Sequence, residues 1–167
     1  MLGGFGQDAI DVDRETGELI GDDTGDDVVI GDNGAATFFT DGGSEVLVRI
    51  ETTDPSIGDR DLINTNSGND VVIGGAGGDL IDAGTTNERD IVIGDNGFAQ
   101  WTTDDRISTI STTDPAVGGD DDIVVGDGSD IVLGGVGSDA IDADRLTGLS
   151  VGVETCLLYT SPSPRDS

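Results

Sequence analysis

Three nine-residue runs place an aspartate at a fixed distance behind a cluster of glycines. They are Gly3-Gly4-Phe5-Gly6-Gln7-Asp8-Ala9-Ile10-Asp11, Gly74-Gly75-Ala76-Gly77-Gly78-Asp79-Leu80-Ile81-Asp82 and Gly134-Gly135-Val136-Gly137-Ser138-Asp139-Ala140-Ile141-Asp142. All fit G-G-x-G-x-D-x-U-x, with U a large aliphatic residue. The chemistry on offer is that of oxygen. Glycine at positions 1, 2 and 4 permits positive φ and lets backbone carbonyls come close to an ion. The aspartate at position 6 adds a carboxylate where the turn joins a strand. Oxygen donors suit a hard cation, and calcium takes about six to eight of them. Zinc and copper sites need His or Cys, and the chain has no histidine and one cysteine.

These residues have to be held by short strands. The last three positions of each nonapeptide read as a strand whose U side chain points inward while its neighbours point outward. Looser copies occupy much of the remaining chain. Gly25-Asp26-Asp27-Val28-Val29-Ile30, Gly68-Asn69-Asp70-Val71-Val72-Ile73 and Gly128-Ser129-Asp130-Ile131-Val132-Leu133 keep the second half of the motif. Asp90-Ile91-Val92-Ile93 and Asp122-Ile123-Val124-Val125 keep only D-x-U-x, and Asp61-Leu62-Ile63-Asn64 is a weaker member.

A longer period lies over the short one. Ile30-Gly31-Asp32-Asn33-Gly34 matches Ile93-Gly94-Asp95-Asn96-Gly97, and Thr52-Thr53-Asp54-Pro55 matches Thr112-Thr113-Asp114-Pro115, which defines a unit of about sixty residues. Asp11 to Gly17 resembles Asp142 to Gly148, as though the array re-entered its own beginning. Each unit carries an insertion outside the nonapeptide register, near 35–53 and 98–112, whose β-branched runs and turn residues predict a hairpin. Asp54-Pro55 and Asp114-Pro115 end its second strand, since proline cannot donate to a ladder. Four of the six aromatics, Phe38, Phe39, Phe98 and Trp101, lie in these inserts. Two readings stand for them: a recognition surface, or apolar attachment of each hairpin to the repeats. Asp32 and Asp95 likewise read as turn formers or as extra oxygen ligands. Asp11-x-Asp13-x-Glu15 faintly suggests an EF-hand loop, but Thr16 stands where that loop needs glycine.

The nonapeptides resemble the hemolysin-type (RTX) calcium-binding repeats. The resemblance implies an all-β fold, a parallel β-roll (β-solenoid) of nonapeptide repeats, here with two inserted β-hairpins. In such a roll two nonapeptides complete one turn of the winding. It implies several calcium ions between successive turns, held by Asp carboxylates and Gly carbonyls. Carried over by position, the ligand aspartates are Asp8, Asp79 and Asp139, then Asp27, Asp70 and Asp130, then Asp61, Asp90 and Asp122. The glycines are Gly4, Gly6, Gly75, Gly77, Gly135 and Gly137. The family further implies a secreted or cell-surface location and type I secretion, with an export signal at the C-terminal end of a longer reading frame. Asn66-Ser67, Asp127 and the extra residues of 83–90 depart from the motif and put those turns in doubt.

Composition agrees with a cation-dependent fold. The formal charge is -28, from 35 acidic residues against 7 basic ones, all arginine. Such self-repulsion opposes compaction unless cations sit among the carboxylates. It also excludes nucleic acid as a partner, because phosphate binding needs a basic surface. No apolar run is long enough for membrane insertion as a helix. Cys156 and the Ser/Pro-rich residues after it resemble the translation of a sequencing adaptor, so residues 1–155 are read as the native array and 156–167 as foreign.

With no His, no Lys and no native Cys, the usual general bases and nucleophiles are missing, and no enzyme activity is expected in this chain. The expected function is calcium ion binding in a structural repeat segment of an extracellular protein, such as an adhesin whose hairpins meet a surface or matrix ligand. The alternative is the calcium-binding portion of an RTX protease, lipase or toxin whose catalytic domain lies elsewhere.

Overall fold

Each repeat supplies only about three extended residues, because glycine and aspartate bound them on both sides. The strands are accordingly short. In chain order they are β1 (Ala9–Ile10), β2 (Val28–Ile30), β3 (Gly34–Asp41), β4 (Ser44–Thr52), β5 (Leu62–Asn64), β6 (Val71–Ile73) and β7 (Leu80–Asp82). They continue with β8 (Ile91–Ile93), β9 (Gly97–Trp101), β10 (Ile107–Thr112), β11 (Asp122–Val124), β12 (Ile131–Leu133), β13 (Ala140–Ile141) and β14 (Leu157–Tyr159). The computed structural model describes residues 1–11, 16, 20, 24–84, 88–141 and 157–159. Among these there is no helix, and the class is all-β. The acidic stretch after Asp11, its recurrence at 142–148 and most of the 156–167 tail lie outside the described residues. Within that tail, the backbone of β14 pairs in parallel with β12.

The chain alternates between two parallel sheets. One runs β1-β5-β7-β11-β13 and the other β2-β6-β8-β12-β14, each strand beside the next of its own set. A strand from the first sheet and its successor in the second form one rung. Register aligns the central residues: Ile10, Ile63, Ile81, Ile123 and Ile141 in the first sheet, Val29, Val72, Val92 and Val132 in the second. These two columns form the inner core, joined by Ala83 and Val125. With one inward side chain per strand, the core is thin.

The second sheet is apolar on its other face as well. Its strands read V-V-I, V-V-I, I-V-I and I-V-L, the pattern of strands buried on both faces. What covers them is a third, antiparallel sheet, β10-β9-β4-β3, made by the inserts. Ile50, Ala99 and Trp101 of that sheet are buried against Ile30, Val71, Ile73, Ile91 and Ile93. Gly42 and Gly43, at φ 59° and 97°, make the two-residue turn of the first hairpin, where both positions need positive φ.

The two hairpins do not project separately. Strand β4 pairs with β9, matching Arg49 with Gln100, Ile50 with Ala99 and Glu51 with Phe98. The aromatics therefore differ in burial. Trp101 is 8% exposed and attaches the insert, whereas Phe38 and Phe39 remain 48% and 44% exposed. Phe98 is half-buried beneath the Arg49 guanidinium, 4.4 Å from the ring centroid.

Candidate metal centres

Each first-sheet strand is preceded by an aspartate at the turn, and register stacks these residues into a row. Asp61 Oδ1 accepts the backbone N–H of Asp8 at 2.7 Å, and Asp79 Oδ1 that of Asp61 at 2.9 Å. Asp121 Oδ1 accepts from Asp79 at 2.8 Å, and Asp139 Oδ1 from Asp121 at 3.2 Å. One carboxylate oxygen of each residue thus ties its rung to the preceding one. The second oxygen is a different matter. Oδ2 of Asp8, Asp61, Asp79 and Asp121 is buried with no hydrogen-bond partner. Asp61, Asp79 and Asp121 are themselves almost wholly removed from solvent.

Glycine carbonyls face those free oxygens. A methyl group on Gly31 would strike both Asp61 Oδ2 and Gly74 O. On Gly74 it would strike Asp79 Oδ2 and Gly94 O, and on Gly94 it would strike Asp121 Oδ2 and Gly134 O. Gly3 repeats the arrangement with Asp8 Oδ2 and Gly31 O. Between successive rungs, one carboxylate oxygen and one carbonyl oxygen thus pack directly against each position-1 glycine, an approach that any side chain there would block.

A second row precedes the other sheet. Asp70 Oδ1 accepts the N–H of Asp27 at 2.8 Å, Asp90 Oδ1 that of Asp70 at 2.9 Å, and Asp130 Oδ1 that of Asp90 at 2.9 Å. Asp90 again buries an Oδ2 without a partner, and the buried Asp70 carboxyl has the Thr65 hydroxyl beside it. Here position 2 of the turn is Asn66, Gly84 or Gly126, all at positive φ, and asparagine is the side chain best suited to replace glycine there. Glu88 replaces the turn glycine of the β8 repeat and adds a buried, unpartnered Oε2.

Burial drives the electrostatics of both rows. It pushes Asp121 up to about 9, Asp79 to about 8, and Asp61 and Asp90 to about 7, with repulsion from neighbouring carboxylates adding to the effect. Asp70 is raised for the same reasons, burial first. Carboxylates buried and stacked about 4.8 Å apart favour the neutral form over the charged one. A cation reverses that preference.

The described residues contain no group of three or more His, Cys, Asp or Glu gathered at one point. The row geometry explains this, because the carboxylates are spaced along the rungs rather than converging. Any ion between rungs must complete its shell from backbone carbonyls. That donor set of carboxylate and carbonyl oxygen fits a hard, high-coordination cation and no soft metal.

Eight of the nine sequence-predicted aspartates stand in the two rows. The exception is Asp122, which opens β11 opposite Leu80 and Ala140 on the outward face. Asp121 takes the row position, and Ile123 rather than Val124 is the inward residue. The run Asp120-Asp121-Asp122 made the local register ambiguous. The sixty-residue offset from Asp61 points to Asp121.

The six glycines carried over from the motif all have positive φ, as their turns require. Their surroundings differ from the expectation, however. Gly75 and Gly135 lie against Asp32 and Asp95, Gly77 and Gly137 against the carbonyls of Asp59 and Gly119, and Gly4 and Gly6 in open space. The glycines beside the row carboxylates are the position-1 residues.

Asp32 and Asp95 are buried and reach into the turn of the following rung. Asp32 Oδ2 accepts the N–H of Ala76 at 2.6 Å. Asp95 accepts the N–H of Val136 through Oδ2 and that of Gly119 through Oδ1 at 2.9 Å. Burial raises them to about 6 and about 7. They act as braces between rungs, beyond a local Asx turn.

No family model, no curated protein and no solved structure matches this chain.

Proposed function

We infer that this chain is a calcium-stabilised structural repeat segment of a secreted or cell-surface protein, wound as a parallel β-roll of the RTX type. The observation that carries the reading is the pair of aspartate rows, each presenting buried, unpartnered carboxylate oxygens. In the first row these oxygens lie beside backbone carbonyls, both packed against the position-1 glycines. Alternation of the chain between two in-register parallel sheets supports the winding.

Calcium would supply the positive charge that lets the stacked carboxylates ionise, so its binding energy would be folding energy. The residues that would hold it are Asp8, Asp61, Asp79, Asp121 and Asp139 in one row and Asp27, Asp70, Asp90 and Asp130 in the other. Gly31, Gly74, Gly94 and Gly134 would contribute carbonyls to the first. The role is structural, with no catalytic step assigned to the chain. An adhesin-like parent suits the sixty-residue superrepeat better than a short enzyme tail does.

Circular dichroism in chelator and then in millimolar calcium tests this reading, with isothermal calorimetry of the calcium titration beside it. The expected result is a weakly structured chain that gains β signal on calcium addition, with saturable heat. A full β spectrum in chelator, unchanged by calcium and without binding heat, overturns it.

A further inference from the structure

The seam between the inserts and the repeats leaves one cleft. Hairpin β3–β4 leaves after β2 and hairpin β9–β10 leaves after β8, two strands apart in the second parallel sheet. Two strand spacings are about 9.6 Å, the width of one hairpin, so β4 and β9 meet as antiparallel neighbours. Beneath the insert sheet, Ile30, Ile73 and Ile93 at the ends of their strands are wholly buried. The residues that open the same strands, Val28, Val71 and Ile91, border instead a cleft of about 290 Å³. Register stacks these three into one apolar wall, and Leu47 of β4 and Trp101 of β9 supply the other.

The rim of the cleft carries opposite charges that do not pair. Asp26, Asn69 and Arg89 precede the aspartates of three second-row turns. Asn69 donates its N–H and its Nδ2 to Asp26 Oδ1 at 2.8 and 3.1 Å, and Asn69 Oδ1 accepts the Arg89 N–H at 3.1 Å. These bonds fix the backbone of the rim and leave the Arg89 side chain exposed. Asp105 comes from the tip of hairpin β9–β10, where its N–H donates to Thr102 O at 3.1 Å. Its φ is 58°, a conformation that aspartate and asparagine adopt more readily than most side chains. Arg106 beside it pairs with Asp104 at 3.3 Å. Among the described residues neither Arg89 nor Asp105 has an ion-pair partner, although both line one cleft in a chain with 35 acidic residues.

We propose that this cleft binds a small zwitterion with an apolar side chain, the chemistry of an apolar α-amino acid. Arg89 takes the carboxylate, which a guanidinium matches in geometry as well as charge. Asp105, with Asp26 on the same rim, takes the ammonium. The apolar walls take the side chain, with the Trp101 indole among them. Size agrees, since small-molecule sites begin at about 300 Å³. Charge argues against the alternatives. A purely anionic ligand is repelled by a chain of formal charge -28. A simple cation is drawn to any exposed carboxylate and gains nothing from Arg89. A zwitterion has no net charge and satisfies both unpaired groups. Asp27 also borders the cleft and belongs to the second row, but Asp26, Arg89 and Asp105 do not, so the inference stands apart from the calcium reading.

Trp101 is the chain's single tryptophan, so its fluorescence reports on this cleft directly. The test is a titration of the whole chain with L-phenylalanine, in a buffer where circular dichroism shows the β fold, with calorimetry of the same titration beside it. Phenethylammonium lacks the carboxylate, 3-phenylpropionate lacks the ammonium, and glycine lacks the apolar body. Phenylalanine should give a saturable change, and each analogue should bind weaker by about tenfold or more. N-acetylphenylalanine amide, which carries the side chain as a peptide would, should bind no better than the analogues. Arg89→Gln should reduce phenylalanine to the level of phenethylammonium and leave phenethylammonium unchanged. Asp105→Asn, which tolerates the same φ, should reduce it to the level of 3-phenylpropionate. Both positions are exposed, and should one variant lose the β fold, the other and the analogue series still decide. No saturable change in either readout, equal affinity for an analogue lacking one charge, preference for the blocked amide, or affinity unmoved by the folded variants overturns the proposal.

Discussion

Asp121 and Asp122 are neighbours of identical chemistry, and the structure assigns them opposite roles. Replacing each by asparagine is therefore a stringent test of the row. Asp121→Asn keeps an Oδ1 that can accept the Asp79 N–H, which lies 2.8 Å from the native oxygen, so the rung-to-rung bond survives. What is lost is the charge, and a carboxylate oxygen beside Gly134 O becomes an amide donor. In calcium this removes one partner from a buried ionic contact, a change that costs about 3–5 kcal/mol. Asp122 sits half-buried on the outward face, and its replacement should stay within about 0.5 kcal/mol.

Without calcium the sign reverses. Neighbours at about 4.8 Å repel by roughly 3 kcal/mol per ionised pair at an effective dielectric constant near 20. Asp121 has such a neighbour on each side, Asp79 and Asp139. Asp121→Asn in chelator above pH 9 should thus be more stable than the parent. The right assay is urea unfolding at fixed calcium rather than a calcium midpoint alone. When several coupled ions share the loss, each tenfold of calcium concentration counts once per ion, and the midpoint shift shrinks accordingly. Equal destabilisation by the two substitutions in calcium, or a larger effect of Asp122→Asn, would refute the row as a set of cation ligands.

Asp79→Ala should demand more calcium for folding than Asp54→Ala, which removes an exposed carboxylate before Pro55. Matched midpoints by circular dichroism would mean that calcium acts only by screening total charge. Gly74→Ala places a methyl group against Asp79 Oδ2 and Gly94 O, so the urea midpoint in calcium should fall sharply, and an unchanged midpoint would show that the rungs do not approach this closely. In chelator, the raised carboxyl values of Asp61, Asp79, Asp90 and Asp121 mean that the folded state binds more protons than the unfolded one, whose aspartates titrate near 3.8. Stability is then greatest below about pH 4 and declines as pH rises toward 9, by up to about 1.4 kcal/mol per pH unit for each such group. Urea midpoints that rise with pH in chelator would contradict this. Magnesium, which demands a tight octahedron and dehydrates reluctantly, should fold the chain poorly at equal concentration, and equal midpoints in the two metals would exclude carbonyl-rich sites.

The rows were legible in the sequence because the aspartate is locked to glycine on one side and to a single inward aliphatic residue on the other. Where that lock loosens, reading by local pattern slips. Asp120-Asp121-Asp122 followed by Ile-Val-Val admits more than one register, and only the distant copy at Asp61 resolves it. Glu88 was missed because its turn departs from the motif, although its carboxylate lies near enough to Asp70 and Asp90 to repel them. The union of the hairpins was not legible at all. Nothing local to Arg49, Ile50 and Glu51 specifies Gln100, Ala99 and Phe98 as partners. The pairing follows from the axial distance between two exit points. One trace of it was present, in the apolar outer positions of V-V-I and I-V-I, which need a cover that the first sheet's L-I-N and L-I-D do not.

The place where the inserts leave the repeats also has a physical reason. Each departs inside a nonapeptide turn, after Gly31-Asp32-Asn33 or Gly94-Asp95-Asn96, and the chain returns at Asp61 or Asp121 to complete position 6. The split turn keeps its position-1 glycine and its aspartate, the two residues that face the gap between rungs. It loses the second glycine, and Asp32 or Asp95 stands there instead. Those carboxylates accept N–H groups of the intact turn on the next rung, at Ala76 and Val136. Asn96 closes the base of its own insert by donating to Val117 O at 3.4 Å and reaches the other unit by donating to Pro55 O at 3.1 Å. Intact and split turns therefore alternate along one edge, and each split turn is braced by the intact one that follows. Removing the brace should separate the two functions of the edge. Asp95→Ala leaves Asp121 and Gly94 in place, so any loss of stability in calcium reports the brace alone. Asp121→Ala leaves the brace and removes the ligand. If the two positions are independent, the double substitution should add the single losses within about 0.5 kcal/mol. If Asp95 instead shares an ion with Asp121, the double loss should fall well short of the sum, and the brace would have to be counted among the ligands.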